Sequence, residues 1–186
     1  MPSVRLIAEN VALLEALASA EAFRRRHDAA VSAADLVRAR DLTTMSLDFM
    51  ARVRALPPWL CYLTVCTETG TLVGCCGFRG NPRDVGGGLV APEIAYHTFP
   101  DFEGRGYATA MALRLFELAR GAAAAPAAAA AGGTPTAVIA HTLRERNTST
   151  RVLARAGFRL VGEVDDAEDG LVWRWQRELS ATGASG

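Results

Sequence analysis

The stretch Glu103-Gly104-Arg105-Gly106-Tyr107-Ala108-Thr109 constrains this chain most. It follows a short apolar segment closed by Pro100 and leads into an apolar-periodic run, Met111-Ala112-Leu113-Arg114-Leu115-Phe116-Glu117-Leu118. A glycine-rich turn between a strand and a helix brings several backbone N–H groups to one point, where the helix N-terminus adds partial positive charge. Small residues let an anion approach the main chain closely. The local chemistry is that of an anion cradle, best matched by a pyrophosphate. The spacing fits neither G-x-x-x-x-G-K-[ST] nor G-x-G-x-x-G, so the two common nucleotide fingerprints fail.

A second segment follows downstream. Val138-Ile139-Ala140-His141-Thr142-Leu143 reads as a strand, Asn147-Thr148-Ser149-Thr150-Arg151-Val152-Leu153 as a polar cap and helix, and Gly157-Phe158 as a helix end before another strand. Elsewhere, Val4 to Ile7 is an expected first strand, and Asn10 caps a helix with Val11, Leu14, Leu17 and Ala18 on one face. Asp35 to Leu56 reads as helix, with Leu36, Leu42, Leu47, Met50 and Val53 apolar and Pro57-Pro58 as the stop. Trp59 to Val65 and Thr71 to Phe78 flank Glu68-Thr69-Gly70 as a hairpin. Gly80 to Gly88 is an expected loop, Glu93 to Thr98 a strand and Ala108 to Arg120 a helix. Gly121 to Pro135 reads as a helix extension passing into a flexible alanine, glycine and proline insert. Ala137 to Thr142, Phe158 to Val164 and Leu171 to Arg177 are further strands, and residues 180–186 an expected disordered tail. Residues 1–179 are expected to form one domain.

Composition narrows the function. Lys plus Arg equals Asp plus Glu, 20 each, so the basic excess of a nucleic-acid binder is missing. No run approaches roughly 18 large apolar residues, and no secretory leader is visible, so no membrane partner and a cytoplasmic location are expected. Cys61, Cys66, Cys75 and Cys76 form no C-x-x-C pair and lack clustered histidines. They read as small buried thiols, and no metal is expected.

Together the two glycine and helix segments resemble the GNAT superfamily of acetyl-CoA-dependent N-acetyltransferases. Its signature, Gln/Arg-x-x-Gly-x-Gly/Ala, falls on Glu103, Gly106 and Ala108. Glu93-Ile94-Ala95-Tyr96, Gly104 to Thr109 and Asn147 to Leu153 are similar to the branch that includes ribosomal-protein N-terminal acetyltransferases. The likeness runs from about Leu60 to Val164. It implies an α/β (α+β) fold: a mixed, mostly antiparallel twisted sheet with helices on both faces and a parallel strand pair that splays to admit the pantetheine arm. It also implies acetyl-CoA as acyl donor, a primary amine as acceptor and direct transfer, with a homodimer allowed.

The resemblance assigns roles residue by residue. Glu93 is the expected base, acting through water. Strand alternation puts Glu93, Ala95 and His97 on one face, opposite Ile94, Tyr96 and Thr98. Tyr96 and His97 are secondary side-chain candidates. The strand is expected to bulge near its end, freeing N–H groups at Tyr96, His97 and Thr98 for the thioester carbonyl and pantetheine. His97, Thr98, Gly104, Arg105, Gly106, Tyr107, Ala108, Thr109 and Asn147 are thus expected cofactor contacts. Ser149 is the candidate acid for the departing thiolate. Two positions depart from the pattern. Glu103 replaces Gln or Arg, and Leu153 replaces a tyrosine that serves many members as general acid. These departures keep a non-catalytic acyl-CoA-binding sensor in play. A generic nucleotide module fits less well, because no ribose- or magnesium-binding carboxylate motif accompanies the glycines.

Overall fold

The computed structural model describes residues 1–125, 133–166 and 170–179. Much of the expected flexible insert (126–132) and the whole expected tail (180–186) lie outside the described residues. The elements run β1 (Val4–Ala8), α1 (Val11–Ala16), α2 (Ala20–His27), α3 (Ala33–Arg52), β2 (Cys61–Cys66), β3 (Thr71–Phe78), β4 (Arg83–Asp84), β5 (Val90–Ala91) and β6 (Ile94–Thr98). Then come α4 (Tyr107–Ala123), β7 (Ala137–Thr142), α5 (Thr148–Arg155), β8 (Arg159–Asp166) and β9 (Gly170–Glu178).

Two antiparallel sheets carry the architecture, in the orders β1-β2-β3-β6 and β7-β9-β8. They meet through a parallel bridge between Glu93 and Ile139, where the Ile139 N–H donates to the Pro92 carbonyl at 3.0 Å. Beyond that bridge β6 and β7 belong to separate sheets, which is the splayed pair. Helices cover both faces. On one, α4 sets Met111, Ala112, Leu115 and Phe116 against Val73, Phe78, Ile94, Val138 and Trp175. On the other, α1 to α3 bring Leu13, Leu17, Phe23 and Ala39 onto Leu63, Val65, Leu72 and Phe99. Each fully buried Leu or Phe contributes roughly 1.5–3 kcal/mol, so the apolar periodicity of α4 alone commits it to this sheet.

Several boundaries differ from the sequence expectation. α1 buries Leu13, Ala16 and Leu17, while Val11 and Ala18 are exposed. Both stripes are apolar, so the sequence did not separate them. α2 was not expected. It is capped by Ser19, whose hydroxyl accepts from the Ala22 N–H at 3.0 Å. α3 is capped by Ser32, has Asp35 in its first turn, and ends at Arg52, four residues before Leu56. Its buried side contains Asp35 and Thr43, polar residues that break the apolar signal. Arg54, at φ +50, turns the chain out of the helix. β4, inside the expected loop of Gly80 to Gly88, pairs as a small hairpin with β5, just after it.

Candidate active site

The turn enters α4 through Gly104 and Gly106, at φ +72 and φ +86. Gly106 is the N-cap and offers no side chain, so the first N–H groups of α4 stay open to a ligand. A Cβ on Gly106 would lie 3.3 Å from Pro2 Cδ. Glu103 ends a 3-10 turn, Pro100–Phe102, and is exposed together with Gly104 and Arg105. The Arg105 guanidinium lies 5.8 Å from the centre of the Phe102 ring. This is the geometry of an anion cradle: two left-handed glycines, then a 17-residue helix.

β6 pairs with β3 in unbroken register from Phe78↔Ile94 to Gly74↔Thr98, so the expected bulge is not there. The irregularity lies between β2 and β3, where Val73 is the extra residue. β3 accommodates β6 closely at Gly74, where a Cβ would lie 2.2 Å from the His97 carbonyl oxygen. The free N–H groups arise instead from the splay. Glu93 accepts from Arg79 N–H at 2.8 Å and Phe99 N–H donates to Val73 at 2.9 Å, so odd-numbered residues of this segment turn their main chain to β3. His97, opposite Cys75, is among them, so its N–H is not one of the freed groups, and its side chain is exposed. The even-numbered Tyr96 and Thr98 direct theirs toward the gap between the sheets. The Thr98 hydroxyl oxygen is buried with no hydrogen-bond partner.

α5 closes the gap from the other side. Asn147 caps it, accepting from the Thr150 N–H at 3.1 Å, while the Thr150 hydroxyl accepts from the Asn147 N–H at 3.2 Å. The Tyr96 hydroxyl crosses from β6 and donates to the Ser149 carbonyl at 3.3 Å. Burial pushes the Tyr96 phenol up to about 12, so it stays protonated at neutral pH. Leu153 is fully buried in the core beneath and offers no proton.

Glu93 is buried, and the tertiary structure surrounds it with groups that the sequence did not assign. Its Oε1 lies 3.1 Å from His141 Nδ1 and 3.5 Å from the Arg79 guanidinium. Its Oε2 lies 3.4 Å from the Arg83 guanidinium, which is largely exposed. Behind His141, Arg174 donates from Nε to His141 Nε2 at 3.2 Å and from its terminal nitrogen to the Val85 carbonyl at 2.9 Å. Asp166 Oδ2 stands 3.9 Å from His141 Nδ1. His141 and Arg174 face each other because they are register partners in β7 and β9, a pairing with no local sequence signal.

Glu93, His141 and Asp166 offer ligand atoms within 4.8 Å of one another. Guanidinium groups already contact Glu93 and His141, which opposes a divalent cation there. Three of the cysteines are held as inert thiols: burial pushes Cys61 up to about 11, Cys76 up to about 12 and Cys75 upward. Among the described residues no helix is long and apolar enough to cross a membrane.

A family model described as an acetyltransferase (GNAT) domain matches residues 8–159. No curated protein sequence matches significantly. Among solved structures, the chain is similar to an apo form of RimL, a ribosomal L7/L12 alpha-N-protein acetyltransferase. The identity is 18%, covering 96% of this chain and 95% of that one, with a TM-score of 0.60. It is also similar to the microcin C7 self-immunity acetyltransferase MccE, solved with acetyl-CoA and AMP, at 14% identity, 95% and 92% coverage and a TM-score of 0.58. A third is the ribosomal-protein-S5-alanine acetyltransferase from Vibrio fischeri, at 14% identity, 95% and 92% coverage and a TM-score of 0.55.

Proposed function

The chain belongs to the GNAT acetyltransferase family, and from that premise we propose that it transfers an acetyl group from acetyl-CoA to a primary amine, directly, in a ternary complex. The acceptor is a protein N-terminus or a small-molecule amine. The observation that carries the reading is the splay of β6 from β7 beside the glycine entry to α4.

The residues present suit the donor. The pyrophosphate would sit on the N–H groups from Gly104 to Thr109, where both glycines hold the backbone open. The pantetheine arm would pass along β6, meeting the main-chain N–H groups of Tyr96 and Thr98, with Asn147 across the gap. The oxyanion that develops on the thioester carbonyl needs N–H donors already in place, and the splayed edge of β6 supplies them.

Chemistry requires the ammonium to lose a proton. An alkylammonium has a pKa of roughly 10, so a base must act at neutral pH. Glu93 takes this role through water, with Oε2 beside the largely exposed Arg83 guanidinium. The amine nitrogen attacks the thioester carbon, the C–N bond forms, the C–S bond breaks, and the thiolate takes a proton. Ser149 serves as the donor. The Tyr96 hydroxyl is a second candidate, because it reaches the Ser149 main chain and stays protonated. A thiol pKa of about 8.5 lets the thiolate leave with little help, so Leu153 does not bar turnover.

Incubation with acetyl-CoA and a panel of amines and peptide N-termini, with free thiol followed continuously, tests this function. Amine-dependent thiol release supports transfer. Binding of acetyl-CoA with no release from any amine would favour the sensor reading. Glu93→Gln is expected to keep acetyl-CoA affinity and lower kcat by roughly 10²–10⁴-fold, nearer the low end for a water-mediated base. The loss should shrink at high pH, where free amine is abundant. An unchanged kcat and pH–rate profile would remove Glu93 from the mechanism.

A further inference from the structure

Arg174, His141 and Glu93 form a hydrogen-bonded line running from β9 through β7 to the start of β6. A guanidinium N–H can only donate. Its 3.2 Å contact with His141 Nε2 therefore requires that nitrogen to carry a lone pair, which leaves the ring proton on Nδ1. Nδ1 is the atom 3.1 Å from Glu93 Oε1. The ring is nearly enclosed, with its side chain 4% exposed, and Arg174 is itself tied to the Val85 carbonyl. The pair is thus held at both ends, and its direction is fixed by the donor at the far end.

We infer that His141 and Arg174 are a positioning pair for Glu93, directing an Nδ1–H to Oε1 so that Oε2, beside the largely exposed Arg83 guanidinium, faces the acceptor side. This inference rests on the reading of Glu93 as the base. Neither residue would touch the acceptor. The charged and titratable groups facing His141 and Glu93 come from each surrounding element: Arg79 after β3, Arg83 on β4, Asp166 on β8 and Arg174 on β9. Removing the Nδ1–H donor would leave Oε1 with the 3.5 Å Arg79 contact alone and loosen the carboxylate rotamer. Removing Arg174 would free the ring to take the other tautomer, which aims a lone pair at Glu93.

The test compares His141→Phe, which fills the space without a donor, with His141→Asn, whose amide nitrogen falls near Nδ1. His141→Phe is expected to lower kcat about 10- to 100-fold, as for a reacting group displaced by up to about 1 Å. KM for acetyl-CoA should be unchanged, and the rising limb of the pH–rate profile should depart from the parental one. His141→Asn should recover most of the rate and the parental limb. Glu93→Gln with His141→Phe should be no slower than Glu93→Gln alone. Nitrogen-15 spectroscopy of the imidazoles in the parent protein, with three histidines to assign, should show His141 Nε2 unprotonated, and this needs no variant to fold. An Nε2-protonated His141, or His141→Phe with parental kcat and pH limb while Glu93→Gln is slow, would overturn the pair and leave the base. A parental rate in Glu93→Gln would overturn both.

Discussion

The carboxyl of Glu9 should make stability fall as pH rises, and the size follows from its surroundings. Glu9 closes β1, where its N–H donates to the Cys61 carbonyl at 2.9 Å. Its side chain is 3% exposed, and neither carboxyl oxygen has a hydrogen-bond partner. Burial, the largest cause, raises its pKa from 4.5 to about 7, and the nearby Ser46 hydroxyl acts in the opposite sense. The sign is set by linkage. The folded state holds the proton more tightly than the unfolded chain, so the favourable contribution is complete below pH 4.5 and is lost as pH rises through 7. With 1.36 kcal/mol for each tenfold change, the loss is about 2 kcal/mol at pH 6 and about 3 kcal/mol at pH 8. Glu9→Gln keeps the shape and removes the charge. Urea unfolding from pH 5 to 9, followed by tryptophan fluorescence, should show the variant gaining on the parent as pH rises. Near pH 8 the gain should reach about 3 kcal/mol, or about 6–12 °C in Tm. Taking the difference at each pH cancels every other titrating group. A constant difference from pH 5 to 8, or a variant less stable than the parent at pH 8, would refute the reasoning.

Two further outcomes are expected. Gly106→Val places a β-branched residue at φ +86 with its Cβ 3.3 Å from Pro2 Cδ, which costs roughly 1–2 kcal/mol in backbone conformation and blocks the cradle; calorimetry should show acetyl-CoA affinity lost, and parental affinity would move the phosphate site elsewhere. Deleting three alanines from 127–131 should leave Tm and acetyl-CoA affinity at parental values, since α4 ends at Ala123 and the chain is pinned again where Thr136 N–H donates to Val90 at 2.9 Å; a drop in either would mean that the insert packs on the core or on a partner subunit.

The sequence by itself determined the order of the main elements, the hairpin at Glu68 to Gly70, the glycine entry to α4 and the family. These are local properties: a 3.6-residue apolar period, a turn that needs positive φ, a cap residue in the right place. The same local reading went astray where two answers shared one pattern, as with the two apolar stripes of α1. It also failed where buried polar residues hid the pattern, as Asp35 and Thr43 do in α3. It expected a bulge on β6, whereas the open edge of that strand comes from two sheets parting after Glu93 and Ile139. Glu93 was legible as a carboxylate at the start of a strand, but its partners were not. His141 lies 48 residues away from it, and Arg174 a further 33. The pairing of β7 with β9 and the bridge between Glu93 and Ile139 bring the three side chains into one line. Strand register between distant segments is fixed by the packing of the whole sheet, and nothing in the neighbourhood of either residue encodes it.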